Sequence, residues 1–296
     1  MANLMLIINP AAGSSGYKNN FGEALCTLDK AGYRVTTYFT QKKGDAIQYT
    51  AEYADKYDVV ACVGGDGTLS EVLSGMMQIE ESKRPPIGYF PMGTANDVAT
   101  SLDLPKSDSA RAAKRMIEGR PHHYDVGGFG KEYFAYIAAF GAFTEVSYET
   151  PQEMKRAFGH LAYVLQGATA IQNIEPYHAV VEYDEGIIEG NFLYGSVSNS
   201  TSVAGIVKLK DEMVTLGDGE SELVLVKDPG DAIAMAELIS SILTQRFDSE
   251  YMQILHTTHA KFTFDKPVAW TRDGEAGGMN QEIDIYNFPC AVQLIF

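Results

Sequence analysis

The sequence predicts an α/β plus β fold: an N-terminal domain built on a parallel sheet, then a C-terminal antiparallel β-sandwich. Three observations carry the prediction. Short apolar strands alternate with amphipathic helices up to about residue 125. Beyond that point, strand-like runs are separated by glycine-rich turns. The 296 residues are enough for two domains of ordinary size. Alternation of strand and helix implies a parallel sheet covered on both faces. The expected division is 1–125 and 126–296, with the junction in Pro121–Gly128.

Leu4–Ile8 is a continuous apolar run, hence a buried strand, and Tyr17–Ala31 places Phe21, Leu25 and Leu28 on one helical face before Gly32 stops it. Arg34–Phe39 is rich in β-formers, and Asp45 opens a helix to about Lys56. Val59–Val63 and Ile87–Phe90 are strands; Leu69–Met77, Asn96–Leu102 and Ser109–Glu118 are helices. The later strands are Tyr133–Phe140, His178–Tyr183, Ile187–Gly195, Glu222–Val226, Ala260–Phe264, Glu282–Tyr286 and Ala291–Phe296. Helices over Gln152–Asn173 and Asp231–Thr244 interrupt them.

Hydrophobic content of 45% and charged content of 21% describe a soluble globular chain. No apolar run approaches the roughly 20 residues that span a bilayer, and Met1–Pro10 reads as a strand rather than a signal peptide. Cys26, Cys62 and Cys290 are isolated, without disulfide or zinc spacing, which points to a reducing cytoplasm. A formal net charge of −16 excludes nucleic acid as the main partner and argues against broad adhesion to anionic membranes. One local exception, Lys106–His123, is either a solvated helix face or a basic patch for a membrane or phosphate.

The chemistry concentrates in turns after strands, where ligands of open parallel sheets bind. Gly64-Gly-Asp-Gly-Thr68 follows a strand and opens a helix. Its glycines allow close backbone approach, and amides at a helix start cradle phosphate oxygens. Asp66 would repel phosphate unless it seats a cation; magnesium, held by one or two carboxylates plus substrate phosphates, resolves the conflict. No Walker-type Lys-Ser/Thr follows the glycines, and the spacing of a dinucleotide fingerprint is absent. Asn9–Gly13, Thr40 and Gly93–Asp97 end neighbouring strands. Far along the chain, Asp273 and Glu275 flank a glycine, as a general base and its partner or as a plain Asp-Gly hairpin turn. The histidines His160, His178, His256 and His259 lack a shared metal spacing. Tyr133–Phe143 is either core or an acyl slot, and Phe158–Ile174 is a candidate lip of a lipid entrance.

Taken together, Asn9-Pro-Ala-Ala-Gly13, Gly64–Thr68, Pro91-Met-Gly-Thr-Ala-Asn-Asp97 and Asp273-Gly-Glu275 resemble the diacylglycerol kinase catalytic family, in its bacterial soluble lipid-kinase branch. The resemblance covers nearly the whole chain. It implies a Rossmann-like N-terminal domain of the phosphofructokinase/NAD kinase type and transfer of the ATP γ-phosphate to a lipid hydroxyl, diacylglycerol foremost. Asn9, Pro10, Ala11, Ala12, Gly13 and Thr40 are then expected at the nucleotide. Gly64, Gly65, Asp66, Gly67, Thr68, Leu69 and Ser70 wrap its phosphates, with Gly93, Thr94 and Asn96 beside them. Asp66 and Asp97 organise a catalytic Mg2+, and either Asp273 or Glu275 is the base, with family grounds leaning to Asp273. A second, structural Mg2+ is implied at Thr215, Asp218 and Glu220, with Asp125 nearby; the segment departs from the family pattern in having Gly217 before Asp218 and Ser221-Glu222 after it. Peripheral membrane contact and pairing of two chains through the β domain fit the same picture. Two other readings stand: an NAD kinase, against which Asn199 is followed by Ser200 rather than Glu, and a nucleotide-binding regulator without catalysis.

Overall fold

The computed structural model describes residues 1–13, 20–142, 175–199, 202–203, 207–208, 217–244 and 250–296. The N-terminal half runs β1 (Ala2–Ile8), α1 (Phe21–Lys30), β2 (Tyr33–Phe39), α2 (Asp45–Tyr53), β3 (Val59–Gly64), α3 (Asp66–Met76), β4 (Ile87–Pro91), α4 (Asp97–Ser101) and α5 (Ser109–Glu118). β1 pairs in parallel with β2 and β3, and β3 with β4. Leu4 to Ile8 of β1 are fully buried, as expected of strands covered on both faces. α1 and α5 pack on one side of these strands and α2 and α3 on the other. Asp108 caps α5 by accepting from the amides of Ala110 and Arg111.

The second half runs β5 (Pro121–Phe129), β6 (Glu132–Phe134), β7 (Ile137–Gly141), β8 (Tyr177–Tyr183), β9 (Gly186–Ser198), β10 (Ser202–Val203), β11 (Val207–Lys208), β12 (Ser221–Lys227), α6 (Ala232–Leu243), β13 (Met252–Thr257), β14 (His259–Arg272) and β15 (Glu275–Ile295). Its pairings are antiparallel. An aromatic core forms around Phe140, with the Trp270 ring 5.0 Å and the Phe264 ring 4.9 Å away.

The two halves share hydrogen bonds. β15 pairs first with β14, then with β5, and its last residues, Leu294 and Ile295, pair in parallel with Ile87 and Gly88 of β4. Among the described residues one sheet of thirteen strands therefore runs through both halves. Pro121–Gly128, expected as a junction, is strand β5.

Other boundaries move for local reasons. α3 begins at Asp66 rather than Leu69, so the glycine-rich turn is already helix start. Tyr133–Phe140 splits into β6 and β7 because Ala135, Tyr136 and Ile137 turn their amides toward Asp273. The two runs Glu282–Tyr286 and Ala291–Phe296 join into β15, with a register shift between Phe288 and Val292. The expected helix over Gln152–Asn173, and with it Phe143, His160 and the Phe158–Ile174 lip, lies outside the described residues.

Candidate active site

Gly65 is the extended N-cap of α3. Its backbone meets that of Gly93 so closely that a Cβ on Gly93 would lie 2.5 Å from the Gly65 Cα. A Cβ on Gly64 would lie 2.3 Å from the Thr68 hydroxyl. These glycines are therefore steric requirements of the turn. Asp66 folds back to accept from the amides of Asp97 (3.0 Å) and Val98 (3.3 Å), tying the glycine-rich turn to the start of α4. Asn96, at φ 53°, accepts from the Gly93 amide and donates to the Gly93 carbonyl, so its amide group shapes the turn. Leu69 is fully buried in the core. Thr94 is exposed at the tip of the same turn.

The strand ends converge. The Asn9 side chain donates to the Thr68 hydroxyl (3.1 Å) and accepts from the Ala11 amide, while Thr40 donates its amide to Ile8. Gly13, at φ 62°, would place a Cβ 2.3 Å from the Met92 carbonyl. Around these turns lies a cavity of about 380 Å³. Asn9, Ala11, Ala12, Thr40, Gly65, Gly67, Thr68 and Gly93 line it, as the sequence led one to expect. Pro10, Gly13, Gly64, Asp66, Leu69, Ser70, Thr94 and Asn96 do not.

The remaining lining was not foreseen: Gln41, Lys42, Lys43 and Glu71. Glu71 accepts from the amides of Gly44 and Ala46 at the start of α2, and Asp45 accepts from those of Gln41 and Lys42. The signal was present in Gly44-Asp45 directly after Thr40, and in Glu71 one helical turn beyond Gly67.

Asp273 and Gly274 join β14 to β15 as a two-residue hairpin turn, both at positive φ (49° and 77°). The turn is nevertheless buried: Asp273 is only 6% exposed. Its carboxylate accepts from the amides of Ala135 (2.6 Å), Tyr136 (3.0 Å) and Ile137 (3.2 Å). Glu275, two residues on, behaves differently. Its side chain lines the nucleotide-sized cavity, pairs with Lys43, and stands where a Cβ on Gly67 would be 2.8 Å from Oε1.

Negative charge accumulates around this junction. Burial and the neighbouring Asp97 carboxylate push Asp66 up to about 6. Burial also raises Asp273 above the usual carboxylate range, against the pull of its amide donors. The Tyr136 hydroxyl donates to Asp97 (3.3 Å), and burial with the nearby carboxylates keeps that phenol well above its ordinary value. Among the described residues no three acidic, His or Cys side chains converge to hold a metal unaided. Mg2+ needs less, one or two carboxylates completed by phosphates and water. Asp66, crowded by Asp97 and Asp273, and Asp97 beside it fit that demand.

The second expected metal site looks different. Thr215 lies outside the described residues. Asp218 turns back to accept from the Glu220 amide, and both side chains are exposed. Asp125, fully buried, accepts from the amides of Gly219 (2.9 Å) and Cys290 (2.6 Å) and from the Asn287 side chain (2.9 Å). His256 and His259 each pair with a separate carboxylate, Glu220 and Asp284.

A glycine-rich helix start joined to an acidic hairpin from the other half is an arrangement that suits a phosphotransferase of the kinase class. Residues 3–129 match the diacylglycerol kinase catalytic domain, and the chain belongs to the diacylglycerol kinase family. It is 30% identical to the diacylglycerol kinase of Bacillus subtilis over 94% of this chain and 91% of that protein. It is 34% identical to that of Staphylococcus aureus over 92% and 86% respectively. A crystal structure of a diacylglycerol kinase from Bacillus anthracis superposes with a TM-score of 0.76 at 20% identity, covering 100% of this chain and 97% of that one. Another Bacillus anthracis crystal structure reaches 0.83 at 24%, covering 100% and 95%. No helix of the described residues is long and apolar enough to cross a membrane.

Proposed function

We propose that this chain is an ATP- and Mg2+-dependent lipid kinase that phosphorylates diacylglycerol to phosphatidic acid. The observation that carries the reading is the placement of Glu275. A hairpin of the C-terminal half delivers it into the cavity lined by Gly65, Gly67, Thr68, Asn9 and Thr40. We take the N-terminal half as a Rossmann-like nucleotide domain and the C-terminal half as a β-sandwich carrying the acceptor.

The amides at the start of α3 and the Thr68 hydroxyl hold the nucleotide phosphates. Asp66 and Asp97 would hold Mg2+, which neutralises phosphate charge when bound. The acceptor oxygen forms a bond to Pγ as the bond from Pγ to the β-bridging oxygen breaks, and ADP departs. Glu275 takes the hydroxyl proton. Asp273, whose carboxylate accepts from three backbone amides, positions the hairpin. Lys43, paired with Glu275, is placed to exchange that partner for a nucleotide phosphate and so free the base. Because the acceptor resides in a bilayer, contact with the membrane is peripheral, from a cytoplasmic enzyme. Exposed Arg111, Lys114 and Arg115 of α5 supply positive charge in an otherwise acidic molecule.

Incubation with labelled ATP, diacylglycerol, other hydroxyl lipids and NAD tests the reading, with magnesium present and then chelated. Label is expected in phosphatidic acid and lost with chelator. Label in NAD alone, or ATP binding without transfer to any acceptor, would refute it.

A further inference from the structure

Ser196 and Ser198 of β9 have no exposed surface, and neither hydroxyl meets a hydrogen-bond partner among the described residues. Strand register places them. Ser198 lies opposite Ile137 of β7 and Glu222 of β12; Ser196 lies opposite Ala139 and Val224. Opposed residues of antiparallel strands point to the same side, so the hydroxyls share the face that carries Ile137, Ala139 and Val224. Those three belong to the same core as Leu69 and Leu73 of α3 and Val98 of α4, the helices of the phosphate turns. Ile137 also donates its amide to Asp273 and accepts from the Asp273 amide. The row of hydroxyls thus begins one strand from the acidic hairpin.

Read away from that hairpin, the opposed pairs on this face are Ser198 with Glu222, Ser196 with Val224, and Tyr194 with Val226. Leu238 and Ile242 of α6 belong to the same core. The face passes from polar to apolar with distance from the phosphoryl site. A glycerolipid has the same order: hydroxyl, ester oxygens, hydrocarbon. Buried hydroxyls without partners are uncommon and call for an explanation. In ligand sites, a few polar groups on an apolar wall fix orientation and specificity.

We propose that Ser196 and Ser198 form the ester-recognition subsite for the acceptor. Their hydroxyls donate to the carbonyl oxygens of a glycerol ester, and the apolar continuation of the face takes its chains. The proposal rests on the lipid-kinase reading above and adds to it a preference for acyl over alkyl glycerolipids.

The test compares a 1,2-diacylglycerol with the matching 1,2-dialkylglycerol in the same mixed micelles, for wild type and for S196A/S198A. Wild type is expected to favour the diacyl lipid, and the double substitution to lower the diacyl-to-dialkyl ratio of kcat/KM about tenfold, the scale of one or two hydrogen bonds. The melting temperature of the variant should not fall, because no hydrogen bond to a described residue is removed. An unchanged ratio, no preference in wild type, or a lower melting temperature marking the hydroxyls as structural would each overturn the subsite. If wild type phosphorylates neither lipid while remaining folded, the lipid-kinase reading itself fails and takes the subsite with it.

Discussion

Asp66 and Asp125 are both buried carboxylates at the junction of the two halves, but they keep different company. Asp125 receives three N–H donors, from Gly219, Cys290 and Asn287, and its charge is met within the protein. Asp66 receives two amides and a long contact from the Tyr89 hydroxyl, while Asp97 stands beside it and Asp273 lies close enough to add to the repulsion. Buried acids are tolerated when donors satisfy them. An acid crowded by other acids marks a place where a ligand completes the charge balance. The two settings support the proposal that Asp125 is a structural carboxylate and Asp66 a functional one, on grounds that do not depend on motif.

The largest expected effect is on the hairpin that faces Asp66. Glu275→Gln should lower kcat by about 10³, within the range of lost general-base catalysis, and leave the melting temperature nearly unchanged because Glu275 is half exposed. Asp273→Asn should lower both, because an Asn NH2 would oppose an amide donor and leave a buried pair unmet, at a cost of about 1–3 kcal/mol. A variant Asp273→Asn with full stability and lost activity would reverse the roles assigned to the two carboxylates.

Asp125→Ala should sharpen the contrast. Three donors, that of Asn287 buried and those of Gly219 and Cys290 partly buried, lose their acceptor, so chemical denaturation should show a stability loss of several kcal/mol, on the order of 1–3 per unmet group. The kcat per folded molecule should remain. Loss of kcat without loss of stability would place Asp125 with Asp66.

A subtler effect concerns pH. Asp66 has a folded value of about 6 against an ordinary 3.8. Between those values the unfolded chain releases its proton while the folded protein keeps it. Stability without a cation therefore falls as pH rises from about 4 to about 6, and it does not recover above that. Added Mg2+ should raise the melting temperature more at pH 7.5 than at pH 5, where Asp66 is largely protonated. Asp66→Asn should flatten that difference. An equal magnesium effect at both pH values would break the comparison.

The smallest effect is expected at Asp218. Its carboxylate caps only its own exposed turn, so Asp218→Ala should change activity less than twofold and stability by under about 0.5 kcal/mol, as for surface positions generally. A large magnesium-reversible loss of stability would restore the structural metal.

Much of this was legible in the chain. Apolar runs such as Leu4–Ile8 and Val59–Val63 announced buried strands, and the glycines of Gly64–Thr68 announced a tight turn from strand into helix. What stayed hidden depended on long-range pairing. Nothing local in Pro121–Gly128 says that it becomes a strand beside β15, or that β15 spans 21 residues and joins both halves. Asp-Gly at 273–274 correctly signalled a hairpin, but only folding buries it against the amides of Ala135 to Ile137. Leu69 and Asn96 fall outside the cavity lining because helical phase turns Leu69 into the core and Asn96, at a left-handed backbone position, bonds to its own loop. Lys43 was missed because its significance lies in reaching Glu275, 232 residues away.

The central claim, that the Asp66 junction seats a divalent cation together with nucleotide, is tested most directly by equilibrium binding of ATP to wild type and Asp66→Asn, with and without magnesium. Magnesium should tighten ATP binding to wild type at least about tenfold, a coupling of roughly 1.4 kcal/mol, and should have little effect on Asp66→Asn. Equal magnesium dependence in the two proteins would contradict the account.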